Sequence, residues 1–147
     1  MAAAVTYSSS ARAFHRYTEG RLSALVEELQ AADTVVGYNT DEFDFEVLRG
    51  YGPFAPKASV DIMQHLAKRL GFRPSLESVA TATLKMGKTA DGLQAVRWYR
   101  QGLLDKVLDY CQKDVEAVRA LHEFGRQFKV VYYWDRHYQR QLVPVAW

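Results

Sequence analysis

From Arg21 to Ala32 the apolar residues Leu22, Leu25, Val26 and Leu29 recur at the spacing of one helix face, which predicts an amphipathic helix. A longer stripe, Leu104, Val107, Leu108, Cys111, Val115, Val118 and Leu121, predicts a single long helix ending near Gly125. Elsewhere the pattern shortens. Val5 to Tyr17 carries Val, Tyr, Phe and Tyr around a Ser-rich break and predicts two short strands joined by a turn. Thr34-Val35-Val36 is a β-branched run ended by Gly37, and Phe43 to Tyr51 reads as a short helix stopped by Gly52-Pro53, so a strand feeds a helix through GYNTDE. Ser59 to Ile62 reads as a strand end, and Met63 to Leu70 as a helix stopped by Gly71. Pro74-Ser75 reads as the capped start of a helix over Leu76 to Leu84. A loop is predicted from Gly87 to Gly92. The tail, VVYYW, DRHYQR, QLVPVAW, predicts a hairpin whose last strand Pro144 confines to an edge. Early strands followed by strands alternating with helices imply an α/β mixed sheet flanked by helices. With no internal repeat or linker, one domain is expected over residues 1–147.

At 147 residues the chain can bury a sizeable core, and 48% hydrophobic with 24% charged residues places it among soluble globular proteins rather than disordered ones. Cys111 is the only cysteine, which excludes an internal disulfide and favours a cytoplasmic setting. No stretch has the length of a membrane span, and the opening residues lack the pattern of a secretion signal. A net charge of +2 is compatible with nucleic acid without pointing to it. Local patterning says more: cations and rings interleave at Arg97, Trp98, Tyr99 and Arg100, and again from Phe128 to Arg140.

Two groups of residues could carry chemistry. Asp44 is expected in the first turn of its helix, where free backbone amides and the helix dipole would keep its carboxylate ionised and fixed, as suits a metal ligand. Ordinary helix-start preference accounts for Asp41, Glu42 and Asp44 equally well. Tyr110 and Asp114, four residues apart, sit ~40° apart on one helix face beside the apolar stripe, where a carboxylate can face a cleft and a phenol can hold a water. A plain amphipathic helix with a half-buried Tyr fits that spacing too. Lys85, Lys88, Arg97 and Arg100 could line a phosphate track or form a solvated face. The aromatic tail could stack bases or simply cover the core. The four histidines show no metal-ligand spacing, and GKT at 87–89 lacks the upstream glycine of a phosphate-binding loop. Cys111, on the stripe, reads as a core residue.

Together these segments say more than either does alone. VVGYNTDEFDFEVL, followed 70 residues after Asp44 by YCQKDVEAV, resembles the second and third motifs of the DEDD (DnaQ-like) 3′-5′ exonuclease superfamily, which has a ribonuclease H-like fold. Gly37, Asn39, Phe43, Asp44, Leu48, Tyr110 and Asp114 match the pattern, and Tyr110 places the chain with the tyrosine-bearing branch. The segment from Ser59 to Gly102 is similar to a bacterial subgroup of such domains related to those found beside helicases; its shared features include Asp61 closing a strand and a loop through Lys88, Asp91, Gly92, Leu93 and Gln94. The resemblance implies phosphodiester hydrolysis with two metal ions, Mg²⁺ or Mn²⁺, on the 3′ end of single-stranded DNA or RNA. Asp114 would ligate one ion and Asp44 the other, directly or through water. Tyr110 would orient the attacking water, Asn39 would shape the loop or contact the substrate end, and Lys88, Arg97 and Arg100 would contact the nucleic acid.

One departure matters. Family members place an Asp-x-Glu on the first, central strand, and its Asp bridges both metals. The acids before Asp33 are Glu19, Glu27 and Glu28, none in that pattern, and all are expected to be solvated charges. Against the family pattern VTYS and RAFHRYTE form the hairpin that follows the first strand, so a central strand is missing and Val35 would lack a neighbour. Three outcomes stay open: the chain starts inside a longer active exonuclease, it is a degenerate member that binds nucleic acid without cutting, or an exposed sheet region drives formation of a homodimer.

Overall fold

The computed structural model describes residues 3–85 and 92–147. Ala3–Ser8 (β1) and Ala13–Thr18 (β2) pair antiparallel from Ala3↔Thr18 to Ser8↔Ala13, with the Tyr7 and Phe14 rings meeting across the pair at 4.9 Å. A short 3₁₀ turn leads into Leu22–Ala31 (α1). Val35–Gly37 (β3) then runs parallel to Ser59–Asp61 (β4), with Phe45–Arg49 (α2) in the crossover, because parallel neighbours cannot be joined by a tight turn. Ile62–Leu70 (α3) starts directly after Asp61 and ends at Gly71, whose φ of +78° a side chain would disfavour. Leu76–Leu84 (α4) is capped by Ser75, whose Oγ accepts from the Ser78 amide at 3.1 Å. Gly92–Arg100 (α5), Leu104–Phe128 (α6), and the antiparallel hairpin Val130–Trp134 (β5) and Arg140–Pro144 (β6) complete the chain.

The mixed α/β architecture and the C-terminal hairpin are present, but the strands form three two-stranded ladders rather than one sheet. No strand joins the β1–β2 hairpin to the β3–β4 pair among the described residues. Instead α6 lies against both β1 and β3, so helix packing unites them. Arg119 of α6 stands 4.0 Å above the Tyr7 ring, and Arg16 of β2 reaches Asp109 at 2.7 Å and Gln112 at 3.0 Å.

Two apolar clusters result. The larger joins Ile62 and Leu66 of α3, Val79 and Ala80 of α4, Ala117 and Leu121 of α6, and Val131, Val143 and Val145 of the hairpin region. The smaller joins Tyr17, Leu25, Phe45, Leu48 and Phe54. Three local expectations are corrected. Gly125 does not stop α6, which continues to Phe128; a Cβ at 125 would lie 2.3 Å from the Trp147 ring, and the absent side chain makes room for that indole. The helix expected from Phe43 to Tyr51 begins earlier, as a π-helical turn over Thr40–Asp44, and ends at Arg49. Gly92, expected to close a loop, opens α5, while 87–91 lie outside the described residues.

The β5 edge that β6 leaves open is closed by hydroxyls of α4. Thr83 Oγ1 accepts from the Tyr132 amide at 2.9 Å and donates to the Tyr132 carbonyl at 3.0 Å. Ser78 Oγ does the same for Trp134, at 3.0 and 3.4 Å. Thr83 is 5% exposed, so Thr83→Val should leave two backbone groups without partners and cost about 2 kcal/mol. Urea unfolding at constant m-value checks this.

Candidate active site

The strand β3 delivers the chain to Asn39, which takes the left-handed conformation (φ 60°, ψ 30°) and turns it into the π-helical Thr40–Asp44 segment. Gly37 permits the turn: a Cβ there would fall 2.0 Å from Thr40 Cγ2. The π geometry is written in the Phe45 amide, which bonds to the Thr40 carbonyl five residues back. Asp61, 7% exposed at the end of β4, holds this turn from beside it. Its Oδ1 accepts from the Asn39 amide at 2.8 Å and the Gln64 amide at 3.2 Å, and its Oδ2 from the Asp41 amide at 3.0 Å. One carboxylate thereby caps α3 and fixes the loop that presents Asp44.

Asp44 is not held by amides as expected of a helix start: its side chain makes no cap hydrogen bond. It is half-buried, and burial first, then the negative charge of Asp61, push its carboxyl up to about 6. Asp114 on α6 is also half-buried and is pushed up to about 6 by burial. Cys111 stands three residues before Asp114 on α6. Its thiol is raised by burial, then by Asp114, then by Asp44, so both carboxylates act on one sulfur although 70 residues separate them in the chain. Cys111 is thus half-buried beside two acids rather than a purely apolar core residue. Tyr110, one residue away on α6, is half-buried. The ring of Phe43, adjoining Asp44, is 62% exposed.

The remaining expected residues divide. Asn39 commits its amide to Asp61, and its Oδ1 is buried with no hydrogen-bond partner among the described residues, a placement that shapes the turn. Arg97 and Arg100 are exposed on α5, which packs on α6. Lys85 is exposed at the left-handed C-terminus of α4, and Lys88 lies outside the described residues.

Two residues matter more than sequence reading suggests. Asp61 directly precedes a helical stripe, the ordinary N-cap signal, which in retrospect announces its role in α3. Glu28, expected as a solvated charge, is a hub: it accepts from Thr6 Oγ1 at 2.8 Å and Tyr17 Oη at 2.5 Å and lies 2.7 Å from His15 Nδ1. Burial would raise its carboxyl, but these partners outweigh that and hold it below the usual range, while Tyr17 is pushed up to about 12 by burial and by Glu28. The cluster clasps β1 and β2 to α1. No local pattern could reveal it, because the partners of Glu28 come from two other elements, β1 and β2.

A family model described as RNase_H superfamily matches residues 4–124. The chain belongs to the RNase H superfamily. No curated protein and no solved structure matches it. Membership gives the domain a nuclease-type, nucleic-acid-processing character. Nucleases of the RNase H superfamily typically act with divalent metal ions, and the donor set here can be tested against that. Asp44 and Asp114 are half-buried carboxylates, hard oxygen donors of the type such ions prefer. Among the described residues no group of three or more His, Cys, Asp or Glu converges, and Asp61 is spent on backbone amides. The described residues therefore do not form the carboxylate cage that two ions require. No helix among them is long and apolar enough to cross a membrane.

Proposed function

We propose that this domain binds the 3′ end of single-stranded DNA or RNA in a cytoplasmic setting and holds a divalent ion, Mg²⁺ or Mn²⁺, on Asp44 and Asp114. When bound, such an ion lowers the pKa of water and steadies charge on phosphate oxygens. The chain's own residues set that position: Asp61 and Asn39 hold the turn, Asp44 and Asp114 face it from two elements, and Tyr110 lies one residue from Cys111 to orient water. Arg97 and Arg100, with Lys88, supply phosphate contacts. Hydrolysis from the 3′ end is the chemistry this site serves, and it is weak without a further carboxylate. The observations that support the reading are the RNase H superfamily match over residues 4–124 and the clasp by which Asp61 holds the turn that carries Asp44.

Calorimetric titration with Mn²⁺ should show binding to the wild type and none to Asp114→Asn. Incubation with 5′-labelled single strands and Mn²⁺ should give slow, stepwise 3′ shortening that Asp114→Asn abolishes. Because no third acid converges among the described residues, a second reading is a module that has lost cleavage and acts by binding or by self-association. Salt-sensitive strand binding without shortening would select it. Neither binding nor shortening would end the nucleic-acid reading.

A further inference from the structure

Beyond the acids, exposed rings lie on the loop beside the site turn and on the C-terminal hairpin. Arg73 pairs with Glu42 at 2.6 Å, two residues before Asp44, and the Tyr38 hydroxyl donates to the Pro74 carbonyl, so the loop between α3 and α4 is moored to the turn that presents Asp44. On that loop Phe72 is 49% exposed, and its ring meets Tyr133 of β5 edge-on at 5.6 Å. Trp134, next along β5, is 40% exposed yet fixed, its Nε1 donating to Thr81 Oγ1 at 3.0 Å. The hairpin then turns. Asp135 accepts from the His137 amide at 2.8 Å, the Gln139 amide at 2.9 Å and Gln141 Nε2 at 2.9 Å. This leaves Tyr138 87% exposed with φ of +57°, the most exposed large ring described.

Burial does not explain Phe72, Trp134 and Tyr138, which keep much of their surface in water. Their electrostatic setting narrows the occupant. The hairpin and its flanks carry Lys129, Arg136 and Arg140 against one acid, Asp135, whose carboxylate is turned onto three donors of its own turn. Arg140 lies 3.6 Å over the Tyr132 ring, so cation and ring share one surface. Exposed rings beside cations suit a chain that offers flat π faces and negative charge alternately, which is single-stranded nucleic acid.

We propose that Tyr132, Trp134 and Arg140, which share one face of the β5–β6 hairpin, form with Tyr138 of its turn a second contact surface for the single strand, holding nucleotides that extend beyond the acid site. The proposal rests on the nucleic-acid reading above but not on cleavage. Its test is fluorescence anisotropy with the full chain, using labelled single strands of about 15 and roughly 4 nucleotides. The wild type should favour the longer strand. Trp134→Ala and Tyr138→Ala should each weaken long-strand binding roughly fivefold or more, narrowing the gap between the two lengths. Tyr138→Ala removes a ring with almost no packing, so its effect cannot be a folding defect, and the melting temperature should confirm this. If the wild type binds the long strand and both variants bind it equally well, the second surface is disproved while the site reading survives. Equal wild-type affinity for both lengths disproves it as well. If the wild type binds neither strand, both proposals fall together.

Discussion

Asp114→Asn is expected to make the metal-free protein more stable at pH 7, by about 1 kcal/mol or roughly 3 °C in melting temperature, while removing metal binding. The sign follows from the direction of the shift. A carboxyl raised in the folded state from about 4 to about 6 binds protons there that the unfolded chain has already released. Its contribution to stability is whole below pH ~4 and is lost as pH rises through about 6. Asp44 behaves in the same way, so metal-free protein should melt at a lower temperature at pH 7 than at pH 5 as far as these groups decide. The magnitude is set well below the full shift because both groups keep partial contact with water. Asn cannot ionise and escapes the penalty. Adding Mn²⁺ should reverse the order, stabilising the wild type and not the variant, as ligand linkage requires. Differential scanning fluorimetry at pH 5 and 7, with and without metal, reads all of these. A variant less stable than wild type without metal at pH 7 would contradict the desolvated state assigned to Asp114.

Asp61→Ala is expected to have the larger effect on stability. Three backbone amides, those of Asn39, Asp41 and Gln64, would lose their acceptor in a part-buried region. A cost of about 3 to 4 kcal/mol follows, roughly 10 °C in melting temperature. Asp61→Asn should recover only part of this, because its amide nitrogen would face a backbone donor on one side. The consequence for the site is separate from stability. With the clasp gone, the turn carrying Asp44 loses its anchor, and Mn²⁺ affinity should fall even at temperatures where the variant remains folded. Metal titration of Asp61→Asn well below its melting point checks this. Unchanged affinity would mean that Gly37 and the π-helical bonds suffice to place Asp44.

Much of the fold could be read from periodicity. The α6 stripe, the α1 stripe and the two hairpins are local patterns, and the elements formed where those patterns lie. The boundaries that shifted did so for tertiary reasons. Gly125 looks like a helix stop until Trp147 is packed against it, and residues 40–42 look like part of a loop until Asp61 reaches the Asn39 and Asp41 amides from β4. The division into three ladders was not legible either, because strand pairing depends on what lies alongside each edge. At the site, the residue types and spacing single out Asp44 and Asp114, and both are half-buried. Their environment was misjudged. Helix-start logic predicts an amide-stabilised Asp44, whereas burial among neighbouring elements and the nearby Asp61 leave it destabilised when ionised. Glu28 was misread in the opposite direction, since an acid on an amphipathic helix gives no hint of Thr6, His15 and Tyr17 converging on it.

The hydroxyls that α4 lays along β5 carry an implication for how this chain fails. VVYYW is β-prone, uncharged and free of proline, the composition from which fibrils are seeded. While Thr83 and Ser78 occupy its outer edge, no foreign strand can add there. Any event that melts α4 before the hairpin would expose a ready template for cross-β growth, so the shelf life of the protein in solution depends on one nine-residue helix.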